Sequence, residues 1–458
     1  MNELKNKRIA FHTLGCKVNI YESEVFMGDA VRAGAVLTEF TEKADVYVIN
    51  TCSVTNIADR KSRQMIRRAR KTNPDAVVVA TGCYVETAAA DVFPTLGADL
   101  FIGNEGKKDF VPILAAFLRD GTLPEKKEIG KVTEYRPECL SALSAHTRAD
   151  IKIQDGCNQF CTYCIIPFAR GRIRSKAPEK VIEEITALSE AGLSEFVLTG
   201  IHLSSYGLDF RENGQKSADY KDVADNDVNL LTLIEKVHAI PGVKRLRIGS
   251  LEPRIMTRAF AEGLARLPKV CPHFHLALQS GSDGTLKRMN RHYTAAEYGE
   301  AVQNLRAVYE NPAITTDVIT GFPGETEAEF GETLKFFDSI GFFEPNVFPY
   351  SRRHGTVADR MENQIPEETK KARSEVLIAR GEESSERYRK SLLGKAAEVL
   401  TEAEKRPEEV PTGLREVLSG PVFTGHTREF VTVYTEGLQS GEIRRGILYE
   451  ANGIYYVK

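Results

Sequence analysis

The sequence predicts an α/β protein in three parts: an N-terminal parallel-sheet α/β domain, a central partial (β/α)6 barrel and a small C-terminal β-barrel. Three observations carry this. Strand-like and helix-like segments alternate from about residue 6 to about residue 120, which implies a mostly parallel sheet covered by helices on both faces. The alternation resumes near Ala149 and repeats six times. From Val399 to Lys458 the pattern changes to short β-rich runs separated by Gly-containing turns.

In the first part Ile9–Leu14, Val46–Asn50, Ala76–Thr81 and Leu100–Ile102 read as strands. Glu22–Arg32, Asp59–Lys71 and Lys108–Leu118 read as helices. A polar stretch with Pro124 and Pro137 reads as a linker. In the second part the candidate strands are Asp150–Gln154, Phe196–Thr199, Leu246–Gly249, Phe274–Leu278, Ile314–Ile319 and Asn346–Pro349. Amphipathic stretches Val181–Ala191, Leu230–Ala239, Tyr298–Tyr309 and Glu327–Ile340 lie between them. In such folds the chemistry sits at the C-terminal ends of the strands, so reactive residues should follow each strand directly. In the third part Pro366–Leu393 is a charged helix leaving the barrel, and Glu429–Tyr434 and Ile454–Val457 are strands of a module about the size of an oligonucleotide-binding fold. The expected domains are 1–145, 146–375 and 376–458.

Composition is that of an ordinary globular chain, with 42% hydrophobic and 27% charged residues. No apolar run has the length of a membrane span. Met1–Arg8 leads into no apolar signal segment, so a cytoplasmic protein without a membrane partner is expected. Thiols stay reduced in that compartment. The eight cysteines are therefore metal ligands or free thiols rather than disulfides. The net charge of −3 argues neither for nor against a nucleic-acid partner, because a neutral body can carry a basic patch.

Cys157, Cys161 and Cys164 directly follow the first barrel strand. Three thiolates cannot complete a structural zinc site, which takes four ligands. No His or Cys occurs between Cys164 and His202 to supply the fourth. A [4Fe-4S] cluster held by three cysteines leaves one iron open. S-adenosylmethionine (SAM) offers an amino and a carboxylate group to chelate it. A structural metal knuckle is the alternative. Three more cysteines, Cys16, Cys52 and Cys83, each follow a predicted strand, and two of them follow Gly. In a parallel sheet those ends share one edge, where α/β sheets bind ligands. Three buried core cysteines are the alternative here, but core packing gives no reason for all three to sit at the same strand end. His12 is a possible further ligand, expected instead to point into or under the sheet. Cys139 and Cys271 read as structural or incidental.

The C-x3-C-x2-C spacing after strand one of a βα array resembles the radical SAM superfamily. The resemblance implies reductive cleavage of SAM to methionine and a 5′-deoxyadenosyl radical. It also implies SAM contacts after successive strands: Gly200 near the methionine amino group, Ser250 and Glu252 near the ribose, Gln279 after the next strand, and Phe322 near adenine. Tyr163 matches the aromatic position that approaches adenine. No catalytic side chain is assigned. Both cysteine sets together resemble the methylthiotransferases, over nearly the whole chain: an N-terminal three-cysteine domain, a radical SAM barrel and a C-terminal TRAM β-barrel. That resemblance implies two [4Fe-4S] clusters, one making the radical and one holding sulfur, with a second SAM supplying a methyl group. Gly425–Val433 is similar to the TRAM pattern, with Glu429-Phe430 where Asn-Tyr is commoner.

Substrates in that family are modified adenosines beside the tRNA anticodon, or an aspartate of a ribosomal protein. Gly15-Cys16-Lys17-Val18-Asn19 looks like the branch acting on N6-threonylcarbamoyladenosine at tRNA position 37. The isopentenyladenosine branch typically reads Gly-Cys-Gln-Met-Asn there, and the ribosomal-protein branch Gly-Cys-Pro-Lys-Asn. The implied partners are tRNA and an electron donor such as a flavodoxin or ferredoxin. Basic runs at Arg60–Lys71 and Arg170–Lys176 lie next to the two cysteine sites and suit a phosphate-rich partner. Solvated helix faces or structural ion-pair networks are the alternatives.

Overall fold

A computed structural model of the chain describes residues 3–125, 128–135, 138–140, 147–211 and 228–458. Pro137 of the expected linker lies outside the described residues.

The N-terminal part runs β1 (Arg8–Thr13), α1 (Lys17–Arg32), β2 (Val36–Thr38), β3 (Val46–Thr51), α2 (Asn56–Thr72), β4 (Val77–Gly82), α3 (Cys83–Thr87), β5 (Leu100–Ile102) and α4 (Phe110–Asp120). Its five strands are all parallel, in the order β2-β1-β3-β4-β5. Central β3 is buried along its whole length, which is why its sequence is a continuous apolar run rather than an alternating one. Phe26 and Ala30 of α1 pack with Phe110 and Leu114 of α4, while Ile66 and Ala69 of α2 pack in a separate core. Two details depart from expectation. Helix α1 begins at Lys17 rather than at Glu22, because its first turns bury polar Asn19 and Glu22 where an apolar period is expected. Strand β2 was not expected: it is a three-residue edge strand whose Val36 and Leu37 are exposed.

The central part runs β6 (Arg148–Asp155), α5 (Ile166–Arg170), β7 (Arg174–Ser175), α6 (Pro178–Glu190), β8 (Glu195–Gly200), α7 (Leu230–His238), β9 (Arg245–Ile248), α8 (Arg258–Ala265), β10 (His273–His275), α9 (Asp283–Arg288), α10 (Ala295–Arg306), β11 (Ala313–Thr320), α11 (Glu327–Ile340) and β12 (Glu344–Pro349). One sheet has the order β7-β6-β8-β9 and another β10-β11-β12. Parallel bridges Leu246↔Val270 and Leu251↔Leu276 join them. Six parallel strands thus form an open barrel, with short antiparallel β7 beside β6. Strand β10 is shorter than Phe274–Leu278, because past His275 the chain pairs only through single bridges. Ile151, Ile153, Phe196, Leu198, Leu246 and Ile248 join the core formed with the helices. The alternate positions Arg148, Asp150, Glu195, Arg245 and Arg247 therefore share the opposite, concave face.

The C-terminal part runs α12 (Glu367–Ser391), β13 (Ala396–Lys405), β14 (Val422–Thr427), β15 (Thr432–Glu436), β16 (Ile443–Ala451) and β17 (Ile454–Val457). The strands close into a barrel, order β13-β14-β15-β17-β16, which leaves no free edge. Glu429–Tyr434 is not one strand. Its first residues form the turn before β15, with Phe430 at φ 73°. The Phe430 ring stacks on His273 at 4.9 Å and lies 4.8 Å below the Arg247 guanidinium. Arg245 and Arg247 also donate to the main-chain oxygens of Thr427 and Arg428 at 2.9 Å each. The small barrel is therefore docked at the starts of the large barrel's strands, opposite the ends where the chemistry is expected. No described helix is long and apolar enough to cross a membrane.

Candidate active site between two cysteine loops

Cys16 caps α1 after β1, Cys52 follows β3, and Cys83 opens α3 after β4. These strands are neighbours, so parallel pairing gathers three cysteines that are far apart in sequence at one sheet edge. Gly15 has φ +102°, and a Cβ there would stand 3.0 Å from Cys52 Sγ. Glycine is thus what lets the Cys16 loop approach Cys52. Burial pushes the Cys52 thiol up to about 11, and Cys83 and Cys16 push it the same way. His12 packs its ring 4.9 Å from Phe40.

Cys157, Cys161 and Cys164 lie on the loop after β6. Gly156 has φ +71° and no room for a Cβ beside the Arg172 carbonyl. The main-chain N–H of Gln159 donates to Cys157 Sγ at 3.5 Å, and Arg291 Nη1 donates to Cys161 Sγ at 3.3 Å. Asn290 holds the loop through the carbonyls of Gln159 (3.2 Å) and Phe160 (3.1 Å). Burial, followed by repulsion from Cys161, raises the Cys157 and Cys164 thiols, the latter to about 12. All eight cysteines are free thiols. Among the described residues no three His, Cys, Asp or Glu side chains form a group that fits a single metal ion. All-sulfur donor sets on spread loops, with N–H groups aimed at the sulfurs, fit a multinuclear iron–sulfur cluster instead.

The residues expected around SAM fall into two groups. Tyr163 and Phe322 meet edge to face at 6.3 Å, although Phe322 is fully buried behind Tyr163 and Tyr350. A Cβ on Gly200 would press within 3.0 Å of Gln154, whose Oε1 accepts the His202 N–H at 2.8 Å. His202 Nε2 lies 3.4 Å from Glu252 Oε2, and Arg254 donates to Oε1 at 2.7 Å. Burial alone would raise the Glu252 carboxyl, but His202 and the two arginines Arg291 and Arg254 hold it at about 2. Ser250 is exposed, and Gln279, at φ 66°, pairs with Val318 through the main chain. His202, Gln154 and Arg291 escaped sequence reading. His202 lies two positions after Gly200, which alone was singled out there, and Arg291 lies far in sequence from the cysteine it serves.

Between the two cysteine loops lies a buried ionic network. Glu22 of α1 accepts from Lys152 of β6 at 2.7 Å, from Arg170 of α5 at 2.8 Å and from Lys107. Asp155 shares Lys152 (2.9 Å) and Arg170 (3.2 Å). Asn104 reaches 3.9 Å from Cys83 Sγ and donates to the Ala169 carbonyl at 2.7 Å. Asn104 thereby ties Cys83 to α5, which begins two residues after Cys164, so the two cysteine sets face one another. On the far side Arg353, after β12, donates to Ser53 and Asp59 at 2.6 Å each, beside Cys52. Of the run Arg170–Lys176, Arg170, Arg174 and Lys176 are buried in ion pairs and cannot meet phosphates, whereas Arg172 stays exposed with its guanidinium 4.5 Å from the Phe160 ring. Arg60, Lys61, Arg67 and Arg68 of α2 remain exposed.

Residues 8–103 match the uncharacterised protein family UPF0004, and residues 151–337 match the radical SAM superfamily. The chain is 40% identical over 434 residues to the threonylcarbamoyladenosine tRNA methylthiotransferase MtaB of Bacillus subtilis, covering 94% of this chain and 91% of that one. It is 35% identical to a tRNA-2-methylthio-N(6)-dimethylallyladenosine synthase of Caldicellulosiruptor saccharolyticus, covering 86% and 82%. Its fold is similar to that of the radical SAM methyltransferase TsrM of Kitasatospora setae, with TM-score 0.54 at 17% identity over 75% of each chain. Two facing cysteine loops on an open barrel and this degree of identity along nearly the whole chain agree: the chain belongs to the radical SAM methylthiotransferase family.

Proposed function

We propose that the chain methylthiolates C2 of N6-threonylcarbamoyladenosine at position 37 of tRNA, with SAM and one [4Fe-4S] cluster on Cys157, Cys161 and Cys164 and a second on Cys16, Cys52 and Cys83. The observation that carries this is the facing of the two cysteine sets across the Glu22–Arg170 junction. When bound, the first cluster supplies the electron that cleaves SAM to a 5′-deoxyadenosyl radical, and the second supplies sulfur. A ring C–H without useful acidity needs such chemistry, since no general base removes its proton.

The chain's own residues supply binding and positioning. Arg291 and the Gln159 N–H donate to thiolate sulfurs. Glu252, ionised throughout the neutral range, is an acceptor for ribose hydroxyls, with His202 and Arg254 fixing its orientation. Tyr163, backed by Phe322, forms an aromatic wall. Glu22, Lys152 and Arg170 set the distance between the two loops. Beside Arg353, Val54, Ile57 and Val357 expose apolar surface, with exposed Arg352, Arg60 and Lys61 nearby. Stacked loop bases and their phosphates suit such a rim.

The test is anaerobic reconstitution with a flavodoxin or ferredoxin as reductant and tRNA bearing threonylcarbamoyladenosine. The expected result is the 2-methylthio nucleoside by mass spectrometry and about eight irons per chain. Cys161→Ala should abolish 5′-deoxyadenosine formation. Cys52→Ala should keep it while halving the iron. Absence of the 2-methylthio product on tRNA refutes the reading.

A further inference from the structure

Helix α2 begins shortly after Cys52 and is capped by Thr55, whose side chain accepts from the Ala58 N–H. It joins the parallel strands β3 and β4, so it runs back from the cysteine edge along the outside of the sheet. Its inner face is Ser62, Ile66 and Ala69. With 3.6 residues per turn, the opposite face carries Arg60, Lys61, Arg67, Arg68 and Lys71, all exposed. Arg60, Arg67 and Lys71 follow one another at i, i+7 and i+11, a straight row about 16 Å long.

None of these cations forms an ion pair with a described residue. Asp59, the single acid of the helix, is taken by Arg353, and Arg70 on its flank pairs with Asp99. By contrast, Lys180 pairs with Glu183 on α6, Arg258 with Glu262 on α8 and Lys371 with Glu375 on α12. Like charges three or four residues apart weaken a helix, and Arg67 and Lys71 stand so. Helix stability therefore gives no reason for this face. It is a concentrated positive stripe on a chain whose net charge is −3.

We propose that this face of α2 holds the backbone of one strand of the tRNA anticodon stem, while the base to be modified enters between the cysteine loops. This rests on the reading of tRNA as substrate given above. The stripe is continuous with the entry rim, because Arg353, after β12, donates to Asn56 and Asp59 of the first turn of α2 at 3.1 and 2.6 Å. Position 37 stands on the 3′ side of the anticodon loop, close to the stem. A duplex strand presents phosphates at regular steps of a few ångströms along its axis, and a rigid, straight row of cations meets several in succession. Such contacts fix register and orientation and carry no sequence information.

The test measures binding of labelled tRNA to the reconstituted full chain by fluorescence anisotropy, between about 50 and 200 mM salt. Each phosphate contact adds about 0.7 to 0.9 to the slope of log affinity against log salt. The combined variant Arg67→Gln, Arg68→Gln, Lys71→Gln should flatten that slope by about two to three, with iron content and Tm unchanged. The control Lys180→Gln, Arg258→Gln, Lys371→Gln makes the same change in net charge and should leave the slope within about half a unit of the wild type. The loss should appear on whole tRNA and on the isolated anticodon stem-loop, whereas a single-stranded oligonucleotide of the loop sequence should bind variant and wild type alike. A wild-type slope in the α2 variant, equal flattening in the control, or an equal loss on the single strand overturns the inference alone. A wild type that binds no tRNA overturns the substrate reading and the inference with it.

Discussion

Replacing Glu22 with glutamine keeps the volume but removes the one carboxylate that Lys107, Lys152 and Arg170 all share. Glu22 and Arg170 are each 1% exposed, so water cannot replace the lost charge. Stripping one partner from a buried ion pair costs about 3–5 kcal/mol. Asp155 stays within 3.2 Å of Arg170 and takes up part of the excess, which puts the loss at about 3 kcal/mol, near the bottom of that range. For a cooperative unit of about 150–250 residues this lowers Tm by about 6–12 °C. Calorimetry of the iron-loaded protein measures it. Adding Arg170→Met should cost less than the sum of the single changes, since both remove the same interaction. The pH dependence has a fixed sign. Burial alone would raise the Glu22 carboxyl, but Arg170, Lys107 and Lys152 hold it well below its ordinary value of 4.5. On acidification the unfolded chain takes up this proton first. The stabilisation is therefore complete above the ordinary carboxylate range and drains away as the pH falls below it. Glu22→Gln should flatten this acid limb. A Tm change under about 2 °C, with normal iron content and an unchanged acid limb, would refute the reasoning.

Gly15→Ala places a methyl 3.0 Å from Cys52 Sγ on a backbone at φ +102°. It should lower the iron content towards that of the barrel cluster alone, measured by iron analysis, while tRNA-independent 5′-deoxyadenosine formation persists. Phe430→Ala removes the ring stacked between His273 and His426 under Arg247. It should cost about 3–5 kcal/mol at the junction, seen as faster proteolysis near α12 with the barrel core still protected.

Most of the strands and both cysteine sets were legible because their signals are local. Short apolar runs mark β1, β3, β4 and the barrel strands, and the cysteines stand directly after strands whose direction the βα connection fixes. Several features were not local. The helical start of α1 is hidden because Asn19 and Glu22 are buried polar residues, satisfied largely by distant partners such as Thr51 on β3, Lys152 on β6 and Arg170 on α5. Arg170–Lys176 reads as a basic run, and only the fold shows Arg170, Arg174 and Lys176 neutralised by Glu22, Asp155 and Glu184. Arg291 gives no hint in sequence that it meets Cys161, 130 positions away.

By itself, then, the sequence determined what the chain can hold: two three-cysteine sets, each at the C-terminal end of parallel strands. Ligand type and strand order depend on neighbours along the chain, and neighbours are written in it. Only the tertiary structure decided that the two sets face each other and that a buried ionic junction spaces them. Those facts depend on how α1 packs against β6 and α5, and charges meeting across such an interface leave no periodic trace in either segment.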